Sequence, residues 1–285
     1  MSESHSNQKL GIIGGSGIYE MEGVKIIKEH KLETPYGAPS DVVFEAELEG
    51  VVFFFLPRHA RGHKILPHEI NYRANIYAMK ELGVHYLLSV SAVGSLKEDL
   101  PPTTFVLPDQ FIDWTKGKRD RTFFGDGIIA HVSVAEPVDL NMQKLVASSC
   151  QAVDAKYSAG GSYVCIEGPQ FSTKAESAIY RSFGASVIGM TNVPESYLAK
   201  EAGMAYATVA MVTDFDCWKE EHCTVEEIMK VMGENNKMAQ NMIRDFIPRL
   251  ENNKFDINPE NKVGVMTPRD LLSDDKKKIL DVLLK

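Results

Sequence analysis

The stretch Leu10-Gly11-Ile12-Ile13-Gly14-Gly15-Ser16-Gly17 (LGIIGGSG) places a short apolar run directly before a cluster of glycines. An apolar run that stops at a glycine is typical of a buried strand that enters a turn. Glycine lets a backbone approach a ligand closely, and successive backbone N–H groups in such a turn can bind an oxyanion. The stretch therefore predicts a strand and an anion-binding loop, with the Ser16 hydroxyl as a further donor. A plain tight turn is the alternative.

This glycine cluster differs from the two common nucleotide-binding loops. Glu20 stands where the dinucleotide fingerprint has its final glycine. No Gly-Lys-Ser/Thr triplet follows, as a P-loop requires. The glycine loop is therefore not predicted to bind a dinucleotide or a P-loop nucleotide. Its functional interpretation is binding of a simple oxyanion by backbone N–H groups.

Beyond this stretch, β-rich apolar runs alternate with segments of helical composition. Strands are expected at Leu10–Ile13, Asp41–Leu48, Val51–Leu56, His85–Val90 and Met204–Val212. Helices are expected at Pro67–Leu82, Leu140–Ala155, Thr173–Phe183, Pro194–Glu201, Thr224–Leu250 and Asp270–Leu284. This alternation favours an α/β fold with a central mixed, twisted sheet flanked by helices. We expect one domain over residues 1–285, with 1–8 flexible and about 251–285 forming a C-terminal extension packed on it.

Five polar motifs each follow a predicted strand: GGSG, PRHARGH, VSAVGSL, GMTNVPE and VTDFDCW. In open α/β sheets, ligands bind in the crevice at the carboxyl ends of the strands. The five motifs therefore point toward one site.

PRHARGH places Arg58 and His59 directly after the buried run VVFFFL. A cation there must be paired or face a ligand, because burying it alone is costly. The planar fork of donors in arginine suits phosphate. His59 and His63 are four residues apart, but no third ligand accompanies them, so a metal site is not expected. A solvated loop is the alternative to phosphate binding.

VTDFDCW places two carboxylates, Asp214 and Asp216, at a strand end. They could form a metal pair, a base-recognition pair or an acid–base pair, and two close carboxylates raise the pKa of one of them. In GMTNVPE, Thr191 is either an anion donor or a helix N-cap, and spacing does not separate these roles. VSAVGSL is a loop of small residues whose backbone N–H groups could donate to an anion. The alternative is a turn that packs closely against a neighbouring segment.

Composition restricts the class of protein. Lys and Arg number 31 against 39 Asp and Glu, for a net charge of −8, which argues against a duplex nucleic-acid binder. No apolar run approaches the ~18 residues of a membrane helix, and no secretory leader is visible. The four cysteines, at 150, 165, 217 and 223, form no disulfide framework or zinc spacing. A cytoplasmic enzyme with reduced thiols is expected, with the nucleus as a further compartment in a eukaryote.

Taken together, the motifs resemble those of the 5′-methylthioadenosine phosphorylases, members of the trimeric purine nucleoside phosphorylase family. The resemblance covers roughly residues 9–250. It rests on nine motifs in a fixed order: GIIGGSG, PRHARGH, NYRANIYAMKELG, SAVGSL, DQFIDWT, AEP, IEGPQFST, GMTNVPE and TDFDCWKEEH.

The resemblance implies phosphorolysis of 5′-methylthioadenosine to adenine and 5-methylthioribose 1-phosphate, a step of methionine and purine salvage. It implies a homotrimer, or paired trimers forming a hexamer, with no cofactor, no metal, no nucleic acid and no membrane. Phosphate is a co-substrate beside the nucleoside. The implied phosphate site comprises Ser16, Arg58, His59, Ser91, the Ala92 backbone and Thr191. Relatives often carry Thr where Ser16 and Ser91 stand, and either residue supplies a hydroxyl.

The resemblance also implies the nucleoside site. Phe171 packs on the purine, Met190 contacts the ribose, and Asp214 and Asp216 recognise the base. We assign Asp216 to N6 and Asp214, as general acid, to N7, and the reverse assignment stays open. The 5′-methylthio group is expected to contact Val225, Ile228 and Met229, together with His131 of a neighbouring subunit. Ordinary helix packing is the alternative for Val225, Ile228 and Met229.

Three alternatives belong to other classes of function. A broad-specificity purine nucleoside phosphorylase would also use adenosine or 6-oxopurine nucleosides, although a carboxylate pair argues against strict 6-oxo specificity. A hydrolytic nucleosidase would lack the phosphate-binding side chains. A non-catalytic nucleoside-binding protein would bind without turnover.

Overall fold

The computed structural model describes residues 8–15, 17, 21–219, 225–257, 259 and 261–285, with Val225 described in its backbone alone. The strands are β1 (Lys9–Gly14), β2 (Lys25–His30), β3 (Val43–Leu48), β4 (Val51–Pro57), β5 (Val84–Ser95), β6 (Phe105–Leu107), β7 (Gln110–Trp114), β8 (Tyr157–Ala159), β9 (Ser162–Ile166), β10 (Val187–Gly189) and β11 (Ala205–Asp214). The α-helices are α1 (Tyr72–Glu81), α2 (Leu140–Ala152), α3 (Lys174–Ser182), α4 (Asn192–Glu201), α5 (Val225–Asn252), α6 (Asn261–Gly264) and α7 (Asp274–Leu283). Of the segment expected to be flexible, 1–7 lies outside the described residues.

These strands form one mixed sheet. Its main order is β2-β3-β4-β1-β5-β10-β9-β7, and β11 pairs with both β5 and β6. Around the centre, β4, β1, β5 and β11 run parallel to one another, whereas β2, β3 and β10 pair antiparallel to a neighbour. Helices flank the sheet. The α/β fold with a mixed central sheet, predicted from the sequence, is confirmed.

The central strands are apolar because neither of their faces meets water. Ile12 and Ile13 of β1 are fully buried, and so is Phe53 opposite Leu10 in the β1–β4 register. A continuous apolar run is typical of a strand with helices on both faces. Strands β3 and β4 form an antiparallel hairpin. Burial of this run fixes the register and thereby the point at which each strand ends.

Some predicted boundaries were wrong. The helix expected from Pro67 begins at Tyr72, because the Asn71 side chain accepts a hydrogen bond from the Ala74 backbone N–H and acts as N-cap. The strand expected to end at Val90 continues to Ser95, since its last residues pair antiparallel with β10. Thr173 closes a capping box with Glu176 at the start of α3, which explains the correct prediction there.

The C-terminal residues pack on the body of the molecule. Leu280 and Leu283 of α7 are buried, and α7 packs near α1. Ala130 pairs with Val265 in an isolated bridge. No helix within the described ranges combines the length and apolarity needed to cross a bilayer. Cys150, Cys165 and Cys217 are free thiols, and Cys223 lies outside the described residues.

Candidate active site

The ends of four parallel strands bring the predicted motifs to one edge of the sheet. The Arg58 backbone N–H, after β4, donates to the Gly14 carbonyl at the end of β1 at 3.0 Å. Asp214, the last residue of β11, pairs with Gly94 of β5, and Gly94 also pairs with Ile188 of β10. The loops that follow β1, β4 and β11 therefore leave the sheet on the same side. The segment that follows β10, which is antiparallel to β5, runs back along β5 toward Ser91.

Arg58 is 2% exposed and its fork faces a carboxylate. Nε donates to Glu195 Oε2 at 2.7 Å and Nη2 to Glu195 Oε1 at 3.0 Å. Nη2 also donates to Ser89 Oγ at 2.7 Å, and Nη1 donates to the Val90 carbonyl at 3.0 Å. A buried arginine must either pair with a carboxylate or face a ligand, and Arg58 pairs with Glu195. The second N–H of Nη1 has no partner among the described residues, and an anion can accept it.

His59 is a neutral donor and acceptor in this environment. Its Nδ1 lies 2.8 Å from the Ile65 carbonyl, and because a carbonyl only accepts, Nδ1 carries the proton and Nε2 is left as an acceptor. The ring stacks on His63 with centroids 4.4 Å apart. Burial, with the charges of Arg58 and His63, lowers the pKa of His59 to about 4. No group of three metal-ligating side chains occurs in the described parts of the chain.

Thr191 occupies the N-cap position of α4 but makes no capping hydrogen bond. Its Oγ1 is buried and makes no hydrogen bond of good geometry with a described residue, and the Tyr163 hydroxyl is the polar group beside it. Leaving a buried hydroxyl without a well-formed hydrogen bond is costly, and Val193 interrupts the start of α4 with an extended backbone (φ −118°, ψ 126°), so Thr191 does not cap a continuous helical turn. Both observations fit the donor role better than the capping role.

The other predicted phosphate contacts lie inside β5 and in the glycine loop after β1. Ser91 is 7% exposed, and its hydroxyl lies 3.5 Å from Asn192 Oδ1. Ala92, the next residue of β5, is exposed. A side chain added at Gly15 would meet no atom within 4 Å, so space is open beside the glycine loop. Ser16 lies outside the described residues.

The two carboxyl groups are held differently. Asp214 Oδ1 accepts from the Thr213 hydroxyl at 2.6 Å, and Oδ2 accepts from the Asp216 backbone N–H at 2.9 Å. Asp216 adopts φ +50°, a left-handed conformation. Burial raises the pKa of Asp216, and the nearby Asp214 charge adds to that effect against hydrogen bonds that lower it. Burial therefore favours the protonated form of Asp216.

Aromatic and small residues fix the turn that carries Asp216. Trp218 Nε1 donates to the Ser95 carbonyl at 2.8 Å, and the Arg181 guanidinium lies 3.8 Å from the Trp218 ring centroid. A Cβ added to Gly94 would lie 3.3 Å from the Asp216 backbone nitrogen. The absence of a side chain at Gly94 thus lets the turn pack directly on β5.

The predicted nucleoside contacts surround this turn. A Cβ at Gly168 would lie 2.5 Å from Met190 Sδ, so Met190 packs against the backbone of the loop that leads to Phe171. Phe171 is 83% exposed in the single chain. The next residue, Ser172, accepts a hydrogen bond from Cys217 Sγ at its carbonyl, at 3.3 Å. Its own hydroxyl is buried and makes no hydrogen bond of good geometry with a described residue, and it lies beside the Asp216 carboxyl group.

The long helix α5 passes over the same edge. Gln240 Nε2 donates to the Gly17 carbonyl at 2.7 Å, and Asn235 Nδ2 donates to the Val212 carbonyl at 2.9 Å. These bonds tie α5 to the glycine loop and to the end of β11. On its first turns Ile228 is half-buried and Met229 is 61% exposed, and the Val225 side chain lies outside the described atoms.

His131 is set apart from these residues. Its backbone N–H donates to the Gly264 carbonyl at 2.9 Å, and its side chain is exposed. The described contacts join it to the C-terminal stretch and not to the strand ends.

Sequence reasoning missed residues that hold the site together, chiefly Glu195 and Asn192 of GMTNVPE. A buried arginine demands a carboxylate, and Glu195 follows the proline of a motif already assigned to the site, so that signal was present. Arg119 was also missed. It is 6% exposed and donates to the carbonyls of Met190 and Val193 at 2.7 Å. Nothing in its local pattern, KGKRDR, separates it from a solvated basic loop.

Comparison with known proteins settles the family. The family model described as "Phosphorylase superfamily" matches residues 9–248. The chain belongs to this superfamily. Among curated members, S-methyl-5′-thioadenosine phosphorylase of Geobacter sulfurreducens is 50% identical over 246 residues, which are 86% of either chain. The family resemblance inferred from the motifs is confirmed.

Solved structures of other superfamily members share the whole fold. A methylthioadenosine phosphorylase from an Antarctic soil metagenomic library superposes with a TM-score of 0.93 at 44% identity, covering 98% of this chain and 100% of that one. The Schistosoma mansoni methylthioadenosine phosphorylase, in complex with adenine, gives a TM-score of 0.84 at 36% identity, covering 93% and 100%.

Proposed function

We propose that the protein cleaves 5′-methylthioadenosine with inorganic phosphate, yielding adenine and 5-methylthioribose 1-phosphate. One observation carries this proposal. The Asp214–Asp216 pair, suited to a purine, lies at the end of β11. The adjacent strand β5 carries Ser91, whose hydroxyl lies 3.5 Å from Asn192 Oδ1, and Asn192 directly follows Thr191 with its buried hydroxyl. A base site and an oxyanion site thus stand side by side. Relatives carrying the name S-methyl-5′-thioadenosine phosphorylase at about 50% identity support the same substrate.

Phosphate is proposed to bind the hydroxyls of Ser16, Ser91 and Thr191, the Ala92 backbone and the remaining Arg58 N–H. His59 Nε2 can accept a hydrogen bond from the hydroxyl of a monohydrogen phosphate. Glycosidic cleavage proceeds through an oxocarbenium-like transition state. Phosphate stabilises that cation from one face of the sugar and then forms the bond to C1′, while the bond to the purine breaks. Holding the two reactants in this order supplies much of the rate.

The purine leaves with negative charge, which a proton at N7 neutralises. Asp214 is assigned to N7 and Asp216 to N6. The raised pKa of Asp216 supports the reverse assignment as the competing hypothesis. Phe171 packs on the base and Met190 on the ribose in this proposal. No metal or organic cofactor has a step to perform.

The 5′-methylthio group is proposed to contact Val225, Ile228 and Met229, and His131 of a neighbouring subunit in a homotrimer. The exposure of Phe171 and of Ile129, 83% and 57%, supports burial of these side chains against a second copy or a ligand. We place the enzyme in the cytoplasm.

Adenine release from 5′-methylthioadenosine, measured with and without phosphate, tests the proposal. We expect adenine release that requires phosphate. It should be faster than release of the free base from adenosine or inosine. Release without phosphate would identify a nucleosidase and refute the phosphate site. Equal use of inosine would retain a phosphorylase but refute recognition of a 6-amino purine. Sedimentation equilibrium at micromolar concentration tests the trimer.

A further inference from the structure

A buried polar network lies directly behind the proposed phosphate site. Glu195 is 1% exposed and takes both Nε and Nη2 of Arg58. Its Oε1 also accepts from the Tyr206 hydroxyl at 3.1 Å and lies 3.5 Å from Asn192 Nδ2. Because each of these groups is out of water, their hydrogen bonds are strong and costly to lose.

Asn192 is the residue at which this network meets the site. It is fully buried. Its Nδ2 donates to Ser89 Oγ and to the Tyr206 hydroxyl, both at 2.9 Å. Its Oδ1 accepts from Thr208 Oγ1 at 3.2 Å. Asn192 thus joins β5 and β11 to the segment that leads into α4, through one side chain.

Two proposed phosphate ligands depend on Asn192. Thr191 directly precedes Asn192 in the chain. The hydrogen bonds that hold the Asn192 side chain therefore also hold the backbone from which the buried Thr191 hydroxyl projects. The Ser91 hydroxyl lies 3.5 Å from Asn192 Oδ1, too long for a strong bond, and is therefore held near its place yet free to turn toward an anion.

The charges around Asn192 cancel. The guanidinium of Arg58 is matched by the carboxylate of Glu195, and His59 is neutral above pH 5 because its pKa is about 4. An oxyanion at this place is consequently bound by N–H and O–H donors and not by a net positive charge. Such a site tolerates no added negative charge, because unit charges a few ångströms apart repel strongly away from bulk water.

We propose that Asn192 is a positioning residue of the phosphate site, which fixes Thr191 and Ser91 for phosphate while contributing no charge. The proposal rests on the proposed phosphorolysis. Asn192 itself touches no reacting atom.

Asn192→Asp tests the proposal, because it keeps the shape of the side chain and adds one negative charge. We expect the KM for phosphate to rise at least about tenfold, with the KM for 5′-methylthioadenosine changed by less than about threefold. The matched control is Asn75→Asp. Asn75, on α1, is 1% exposed. Its Oδ1 accepts from the Ser40 backbone N–H at 2.8 Å, and its Nδ2 donates to the Ser40 hydroxyl at 2.9 Å. The Asn75→Asp variant should lose about as much stability as Asn192→Asp but keep the wild-type KM for phosphate.

A second variant covers the case in which Asn192→Asp does not fold. Thr208→Val is nearly isosteric, lies 1% exposed on β11, and removes the hydroxyl that donates to Asn192 Oδ1. It should raise the KM for phosphate about two- to fivefold. A phosphate KM within twofold of wild type in Asn192→Asp, or in Thr208→Val when the first variant is unfolded, overturns the proposal. An equal rise in Asn75→Asp also overturns it.

Phosphate binding without turnover separates this proposal from the proposed function. The rise in Tm on adding inorganic phosphate, with no nucleoside present, is measured for wild type and both asparagine variants. If wild type gains stability from phosphate but releases no adenine, the function is refuted and the positioning role is still tested. We expect the phosphate-induced shift to be lost in Asn192→Asp and retained in Asn75→Asp.

Discussion

At the scale of single residues, the carboxyl pair shows how a turn gives two like groups different environments. Both oxygens of Asp214 accept hydrogen bonds from its own turn, at 2.6 and 2.9 Å. Asp216, two residues later, projects from a left-handed backbone into a buried place beside Ser172 and Ser177. An asymmetric pair of this kind suits a base that must be recognised at one atom and protonated at another.

Asp214→Asn tests the proton-donor assignment. The amide keeps the shape of the side chain but does not deliver a proton, so kcat should fall about 100-fold or more, with little change in either KM. Adenine release at saturating phosphate gives both constants. Asp154→Asn is a suitable control, because Asp154 is exposed and also has positive φ, at +54°. A change confined to the KM of the nucleoside would instead assign Asp214 to binding.

Gly94→Ala tests the packing of the Asp216 turn on β5. The added methyl would lie 3.1 Å from Ile188 Cγ2 and 3.3 Å from the Asp216 backbone nitrogen, so the turn must shift by a few tenths of an ångström. We expect kcat/KM for 5′-methylthioadenosine to fall about tenfold and the KM for phosphate to stay the same. An unchanged kcat/KM would mean that the turn does not depend on this contact.

At the scale of elements, the sequence predicted what a local pattern determines. Continuous apolar runs identified β1, β4 and β11, and amphipathic spacing identified α5. Strand β2 was missed because KIIKEH is exposed at the sheet edge and has no alternation of buried and polar residues. Short strands such as β8, three residues long, carry too little pattern to be recognised.

The site was predictable in part for the same reason. The motifs at strand ends could be grouped, since parallel strands end together. Partners across the fold could not be derived from spacing. Arg58 and Glu195 are 137 residues apart in sequence, and Gln240 reaches Gly17 from 223 residues away. Such pairs are specified by packing and not by periodicity.

Helix α5 offers a stabilising substitution away from the site bonds. Gly233 lies exposed inside the helix, and a Cβ there would meet no atom within 4 Å. Gly233→Ala should increase the free energy of unfolding by about 0.5 to 1 kcal/mol, because alanine loses less backbone entropy. Urea unfolding measures this change, and a decrease would reveal a contact that the single chain does not show. Its kcat should equal that of wild type.

At the scale of the whole molecule, Glu201 links three distant parts of the chain. Its carboxylate accepts from the Thr122 hydroxyl at 2.7 Å and the Phe123 N–H at 2.8 Å. Its backbone carbonyl accepts from Asn261 Nδ2 at 3.0 Å. Burial raises the pKa of Glu201 to about 7, against the lowering effect of its two hydrogen bonds.

That shift predicts how stability depends on pH. Between about pH 4.5 and 7 the folded chain holds a proton on Glu201 that the unfolded chain has lost, so this group's contribution to stability falls as pH rises. Glu201→Gln should therefore raise the free energy of unfolding at pH 8 by about 1 to 3 kcal/mol and flatten its decline over that window. Denaturation at pH 5 and 8 measures both. The exposed Glu234→Gln is the control, and an equal gain at both pH values would contradict the assignment.

Strand β5 has a consequence for the nascent chain. One edge of this strand is covered by β1 as soon as residues 84–95 leave the ribosome, but the other edge waits for β11 at residues 205–214. At about 5–20 residues per second, translation leaves that edge open for roughly ten seconds. During this interval the exposed edge of an apolar strand can pair with another chain. The partly synthesised enzyme is therefore the state that most needs a chaperone.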